Sequence, residues 1–298
     1  MEGRRIVQAV QKHSRICQVG TQRRSTEAYR KLAEAVQSGK IGKVTVARAY
    51  RLSNMWPKGI GKADNADPPS TLNWDLWLGP RPKRPFNPNI APYKFRWWLQ
   101  YSSQLANWGV HYFDAMRWVT GDKAPCSISA HGGKFAVDDD RTVPDTLEAI
   151  CEMPSGRLFT FGQYEASGNP AMRSGEIEFR GTLGTVYSSA QGYEVVPEHG
   201  GQFQEPKPRM EPAKIRTNDG DSTANHVRNF LDCVKSRTRC NADVEEGHRS
   251  TTFSLLVNIA LATRSRIDWD ADKERITNNE EANKLLHYEY REPWRLPA

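Results

Sequence analysis

Between Cys126 and Glu198 the chain is a succession of six short strand-like runs: CSISAHGGKF, TLEAICEMP, RLFTFGQYEAS, GEIEFRGT, GTVYSSAQ and YEVVPE. Apolar residues alternate along them, imperfectly, and Gly, Pro and Ser turns separate them. Consecutive strands joined this closely pair antiparallel, because a parallel neighbour needs a crossover of a dozen or more residues. An open, mostly antiparallel sheet is therefore the predicted centre of the fold. Helices must cover one of its faces.

The flanking segments supply them. Residues 3–13 place Ile6, Val7 and Val10 at helical spacing, and RICQVG reads as a short buried strand. In STEAYRKLAEAVQSGKIGKV, Ser25 is the predicted N-cap and Glu27 complements the helix dipole. Ala28, Leu32 and Val36 recur every fourth residue, and Gly39 closes the helix. VTVARAYRLS is the next strand, so the chain opens helix–strand–helix–strand, like the later part of an α/β domain. Near the other end, ANHVRNFLDCVKS puts Val227, Phe230, Leu231 and Val234 on one helical face. TTFSLLVNIALATRSR reads as a strongly apolar helix, and EHGGQFQEPKPRMEP as a surface loop. The predicted fold class is α+β.

Residues 54–100 have a different character. Eight of the 18 prolines lie between Pro57 and Pro92, together with Trp56, Trp74, Trp77, Trp97 and Trp98. Proline this dense forbids long helices and central strands. Tryptophans are expensive to leave in water, so the segment reads as an ordered loop pinned by aromatics, Trp74 and Trp77 packing within it.

The most informative stretch is SQLANWGVHYFDAMRWVTG, residues 103–121. It is apolar nearly all round, yet at about 100° per residue Asn107, His111, Asp114 and Trp118 project to one side. Such a stripe is either a satisfied internal network or one wall of a site. Just before it, YKFRWW sets Lys94 and Arg96 beside the indole of Trp97. A guanidinium there suits a phosphate, a carboxylate or a sugar ring, and equally suits plain stacking. His226 and His248 read as capping or surface residues. No paired carboxylates or Cys/His spacing suggests a metal.

Bulk properties narrow the classes. With 38% hydrophobic residues, 10% aromatics and nine tryptophans in 298 residues, the chain is packed rather than disordered. The net charge of +7 is interspersed with acids and forms no basic tract, so nucleic-acid binding is not expected. The five cysteines, Cys17, Cys126, Cys151, Cys233 and Cys240, are scattered and odd in number, which predicts free thiols in a reducing compartment. No apolar run is long enough to span a membrane, and MEGRRIVQAVQKH lacks the apolar core of a signal peptide. A cytoplasmic location is expected, without membrane association.

QVGTQRRS, SGKIGKVTVARAY, WDLWLGP, FRWWLQYSSQLANWGVHYFDAMRWVTG, IEFRGTLGTVY and HVRNFLDCVKSRTRCNADVEEGHRS occur in the order of the glucose–fructose oxidoreductase / inositol dehydrogenase / rhizopine-catabolism (Gfo/Idh/MocA) family, which the chain resembles over almost its entire length. The resemblance implies an N-terminal Rossmann domain followed by an open-sheet domain. It also implies NAD or NADP as cofactor and a sugar or polyol as substrate, with redox-assisted glycoside cleavage as a family variant. His111 matches the family histidine, an acid/base on the hydroxyl. Asn107 stands where the family often has Asp, so it can orient a hydroxyl but not carry its proton. Asp114 is expected to hold the imidazole tautomer, Lys94, Arg96 and Trp97 to position the sugar, and Gln22 and Arg23 to reach the cofactor.

Two family elements are missing. The only GxGxxG-like segments, GIGKAD and GTLG, neither follow a strand nor open a helix, and the Glu-Lys-Pro segment is absent. The chain is therefore expected to open near the last helix of a Rossmann domain, with Gln18–Arg23 as its last strand. The expected division is a dinucleotide-domain remnant over residues 1–42 and a substrate and oligomerisation domain over 43–298. Weak or absent nucleotide binding follows. A homo-oligomer through the open sheet face is expected, and a non-catalytic carbohydrate-binding or oligomerisation module stays open as the alternative.

Overall fold

Six strands predicted from the alternation between residues 126 and 198 are found, and the chain adds others that complete one sheet. The structure, a computed structural model, describes residues 1–218 and 220–296. The strands are β1 (Val44–Asn54), β2 (Ser127–Gly133), β3 (Thr146–Met153), β4 (Arg157–Tyr164), β5 (Ala166–Ser167), β6 (Ile177–Gly181), β7 (Gly184–Ser189), β8 (Gly192–Pro197), β9 (Ala213–Arg216), β10 (Ile267–Asp270) and β11 (Arg275–Ile276). They form a sheet in the order β11-β10-β2-β3-β4-β1-β6-β7-β8-β9, with β5 beside the end of β1. Every pairing is antiparallel except β1 with β4, where Ala47 faces Phe159 and Ala49 faces Phe161. This is an α+β fold built on an open, mostly antiparallel sheet.

Period-two alternation splits the sheet into two unlike faces. Ala47, Ala49, Leu147, Ala149, Phe159, Phe161, Ile177 and Phe179 are buried together on one face. Onto them pack α2 (Glu27–Gln37), α4 (Val110–Thr120) and α6 (Val244–Thr263), with Phe113 and Phe159 flanking Phe253 at ring distances of 5.2 and 6.0 Å. The opposite face carries the Arg48–Glu178 ion pair (3.0 Å), Tyr50, Glu148, and the exposed Ile150 and Leu158. Gly162 is bare because Tyr50, its register partner, lies across it. A Cβ there would sit 2.4 Å from the Tyr50 ring.

Several expectations need correction. No strand forms over Gln18–Arg23: Gln18 makes a single bridge to Asp243, and Gln22–Ser25 is a 3-10 turn. A strand needs a neighbour to share its backbone hydrogen bonds, and none of the described strands lies beside this segment. Thr26, not Ser25, caps α2 by accepting from Tyr29 N–H, while the Ser25 hydroxyl meets His226 Nδ1 at 2.7 Å. Tyr29, Leu32 and Val36 of α2 pack in the same core as the sheet. In α5 (Ser222–Ser236) the stripe of Val227, Leu231 and Val234 faces out; His226 and Cys233 are the buried residues. His226 is thus neither surface residue nor helix cap, since its Nε2 lies 2.8 Å from the Val19 carbonyl. The apolar helix begins earlier than residue 251, at Val244, where the Asp243 side chain caps it.

The proline-rich segment is an ordered loop, as its tryptophans predict. It holds α3 (Trp74–Leu78) and a 3-10 turn over Lys94–Trp97. Trp74 and Trp77 stack at 4.8 Å, and Trp98 Nε1 donates to the Asn89 carbonyl at 2.6 Å. The remaining helices are α1 (Glu2–Lys12) and α7 (Glu280–Lys284).

The loop is fastened to the sheet by buried charge. Arg141 has no exposed side-chain surface, pairing with Asp139 at 2.9 Å and Glu165 at 2.6 Å. Glu165 also accepts from Trp97 and Gln104, and Asp139 accepts from Ile60 N–H. Removing the guanidinium leaves two buried carboxylates uncompensated. Arg141→Met is expected to destabilise the fold by about 3–5 kcal/mol in urea unfolding; a loss below about 1 kcal/mol would show that the cluster is dispensable.

Candidate active site

The helix carrying His111 does not begin as an α-helix. Leu105–Gly109 form a π-helical turn, in which the Val110 N–H bonds to the Leu105 carbonyl five residues back. Only then does α4 run to Thr120, ended by Gly121 at φ 77°. Single π turns insert one residue into a helix and re-aim the side chains on it. Asn107 and His111 still come out on one side, and both border a cavity of about 300 Å³.

Other parts of the chain line that cavity too, among them Ala190 after β7 and Ser222 at the start of α5. The 3-10 turn at Gln22–Ser25 brings Gln22 and Arg23, the turn at Lys94–Trp97 brings Arg96, and the segment before β6 brings Glu176. Arg96 Nε donates to Asn107 Oδ1 at 3.1 Å, and its Nη1 donates to the Tyr93 carbonyl at 2.7 Å. Its guanidinium lies over the Tyr93 ring at 4.1 Å. Arg23 grips Glu176 through two hydrogen bonds of 3.0 and 2.5 Å and lies 5.1 Å from the Tyr112 ring centre. No local feature of the sequence marks Glu176, which lies 153 residues from the arginine it pairs with. Tyr93 and Trp108, also cavity-lining, stand beside predicted residues and were readable as apolar walls.

Two residues that line the cavity each carry a buried polar atom without a partner among the described residues. His111 Nδ1 and Gln22 Oε1 are both buried, and neither meets a hydrogen-bonding group. A buried polar atom left unpaired costs free energy, so its persistence points to something that completes it. Burial, and after it the nearby Arg23 charge, hold the His111 imidazole below its ordinary pKa of 6.5, with Asp114 and Glu176 pulling weakly the other way. The ring is therefore neutral at pH 7.

Three predicted site residues lie elsewhere. Asp114 does not touch His111: its fully buried carboxylate accepts from Arg24 Nε at 2.8 and 2.9 Å and from Ser250 at 2.7 Å. Lys94 donates to the Ile60 carbonyl and Asn89 Oδ1, both at 2.7 Å, and Trp97 donates to Glu165. The reason is the turn itself. In a 3-10 turn residues three apart eclipse, so Lys94 and Trp97 share the side facing the buried loop, and Arg96 takes the side facing Asn107. Among the described residues no His, Cys, Asp and Glu cluster is placed to hold a metal ion.

The family model described as "Oxidoreductase family, C-terminal alpha/beta domain", from the Gfo/Idh/MocA proteins, matches residues 25–148 and 200–296. Among solved structures, the chain is similar to UDP-N-acetylglucosamine 3-dehydrogenase GnnA from Acidithiobacillus ferrooxidans, with 14% identity and a TM-score of 0.55 over 88% of this chain and 66% of that one. An oxidoreductase from Agrobacterium radiobacter, in complex with NAD+, L-tartaric acid and magnesium, is 15% identical with a TM-score of 0.54, over 89% of this chain and 68% of that one. A levoglucosan dehydrogenase, in complex with NADH and levoglucosan, is 12% identical with a TM-score of 0.63, over 90% and 70% of the two chains. At these identities the likeness is one of fold, and the chain spans about two-thirds of their length. No curated protein matches. No helix among the described residues is long and apolar enough to cross a membrane. With the family model covering most of the sequence and the fold agreeing, the chain belongs to the Gfo/Idh/MocA oxidoreductase family.

Proposed function

We propose that the chain carries the substrate wall of an NAD(P)-dependent oxidoreductase acting on a hydroxyl-bearing carbon of a sugar or polyol. The observation that carries this reading is the pair of unsatisfied buried atoms, His111 Nδ1 and Gln22 Oε1, at a cavity that also holds Asn107 and Arg96. A carbohydrate hydroxyl is both donor and acceptor, so one class of ligand completes both atoms. The cavity volume falls at the small end of the range for ligand pockets, which suits a monosaccharide-sized molecule.

The neutral imidazole of His111 takes the proton that a hydroxyl loses on oxidation and returns it in the reverse direction. Asn107, its carbonyl oxygen already held by Arg96, presents its amide N–H to a second hydroxyl. Asp114 contributes by clamping the turn that holds Gln22 and Arg23 against α4. When bound, nicotinamide supplies the hydride acceptor. The pyrophosphate has no counterpart here, since no glycine-rich turn between strand and helix occurs in the sequence.

Three outcomes are expected. With millimolar NAD+ or NADP+ and a panel of polyols, nicotinamide reduction should be seen. His111→Ala should lower it at least about 100-fold with an unchanged circular dichroism spectrum; equal turnover in the variant would remove His111 from the chemistry. Because the folded pKa of His111 lies below its unfolded value, the unfolded chain binds more protons as pH falls through 6.5. Both the stability due to the buried neutral ring and the reaction rate should therefore be full at pH 7 and fall only in acid, with an NMR titration midpoint for His111 below 6.5. A midpoint above that value would contradict the burial seen here. Calorimetry with the 298-residue chain should give NAD(H) affinity weaker than micromolar, and micromolar binding would show a cradle that the sequence does not reveal.

A further inference from the structure

We propose that this cavity is built for an acidic polyol, a sugar acid whose carboxylate is bound by Arg96. The inference rests on the polyol reading above and narrows it. It follows from counting charge at the cavity wall. Among the described residues three charged side chains line it: Arg23, Arg96 and Glu176. Glu176 is consumed by Arg23, which grips both of its oxygens, and Tyr29 OH lies 3.1 Å from Oε1 of the same carboxylate. Among the described residues Arg96 has no acidic partner. Its hydrogen bonds go only to two neutral acceptors, Asn107 Oδ1 and the Tyr93 carbonyl, and these together use Nε and Nη1. Nη2 keeps its donors for a ligand.

The guanidinium is also fixed in place. The Tyr93 and Phe95 rings lie 4.1 and 4.7 Å from it, so the planar fork is held before any ligand arrives. A fixed guanidinium with its Nη2 donors uncommitted suits a carboxylate oxygen as a charge-assisted acceptor. Arg51, stacked on Trp108 at 4.1 Å, adds positive potential behind that wall without lining the cavity. One available cation at the wall matches a monoanion. A phosphate dianion calls for more than one, and Arg23 is already taken.

The test compares ligands of the same carbon skeleton on the full chain by isothermal titration calorimetry: D-gluconate, D-glucitol and D-glucitol 6-phosphate, with galactonate and galactitol as a second pair. At least one acid is expected to bind about tenfold or more tighter than its neutral polyol. Arg96→Gln should erase that preference and Arg96→Lys should keep part of it; if the first variant fails to fold, the second and the wild-type comparison decide. Equal affinity for acid and polyol, a preference that survives Arg96→Gln, or tighter binding of the phosphate than of the acid each overturns the proposal. Neutral polyols that bind as well as the acids and are lost in Asn107→Ala would leave the polyol reading standing and sink this one. Binding by none of the five would sink both.

Discussion

The geometry of the site depends on one buried ion pair. Arg24 and Asp114 meet at 2.8 Å with 8% and none of their side-chain surfaces exposed. The pair joins the turn bearing Gln22 and Arg23 to the helix bearing His111. Ser250 bonds the same carboxylate from α6, and Arg117 spans from α4 to Ser250 and Glu246. Charges taken out of water are tolerated only when their geometry and remaining hydrogen bonds are complete. This cluster meets that condition by drawing on three elements at once, so it holds the Gln22–Ser25 turn, α4 and α6 together beside the cavity.

A second buried cluster does comparable work at the other side. Arg141, with Asp139 and Glu165, ties Trp97 to the sheet, and Trp97 belongs to the same short turn as Arg96. The result is a division of labour within each segment. In Gln22–Ser25, Arg23 reaches the cavity while Arg24 anchors; in Lys94–Trp97, Arg96 reaches it while Lys94 and Trp97 anchor. Adjacent basic residues that look equivalent in sequence thus have opposite tasks, because tight turns point neighbouring side chains in different directions.

That division explains which residues the sequence could bring to the cavity. His111 and Asn107 both line it, because helical periodicity places residues four apart on one side and the π turn leaves that relation intact. Arg96, Gln22 and Arg23 were also found at the cavity. Asp114 was misread: proximity along the helix suggested His111 as its partner, yet Arg24, 90 residues away, supplies a charge where His111 offers only a neutral ring. Lys94 and Trp97 were misread because a six-residue aromatic and basic stretch does not say how its turn is wound. Glu176 was missed outright, since nothing near it in the sequence signals a role.

The sequence by itself determined the architecture. Alternation with short turns dictates an antiparallel sheet, apolar periodicity dictates the helices that cover it, and dense proline with tryptophan dictates an ordered loop. These are local properties, written in the spacing of neighbouring residues. Only the tertiary structure decided that β1 pairs in parallel with β4, that the Val227 stripe of α5 faces outward, and that Arg23 rather than Arg96 pairs with Glu176. Each of these depends on contacts between residues tens to hundreds apart. Such contacts are set by which charges and surfaces the folded chain brings together, and one-dimensional spacing does not encode them.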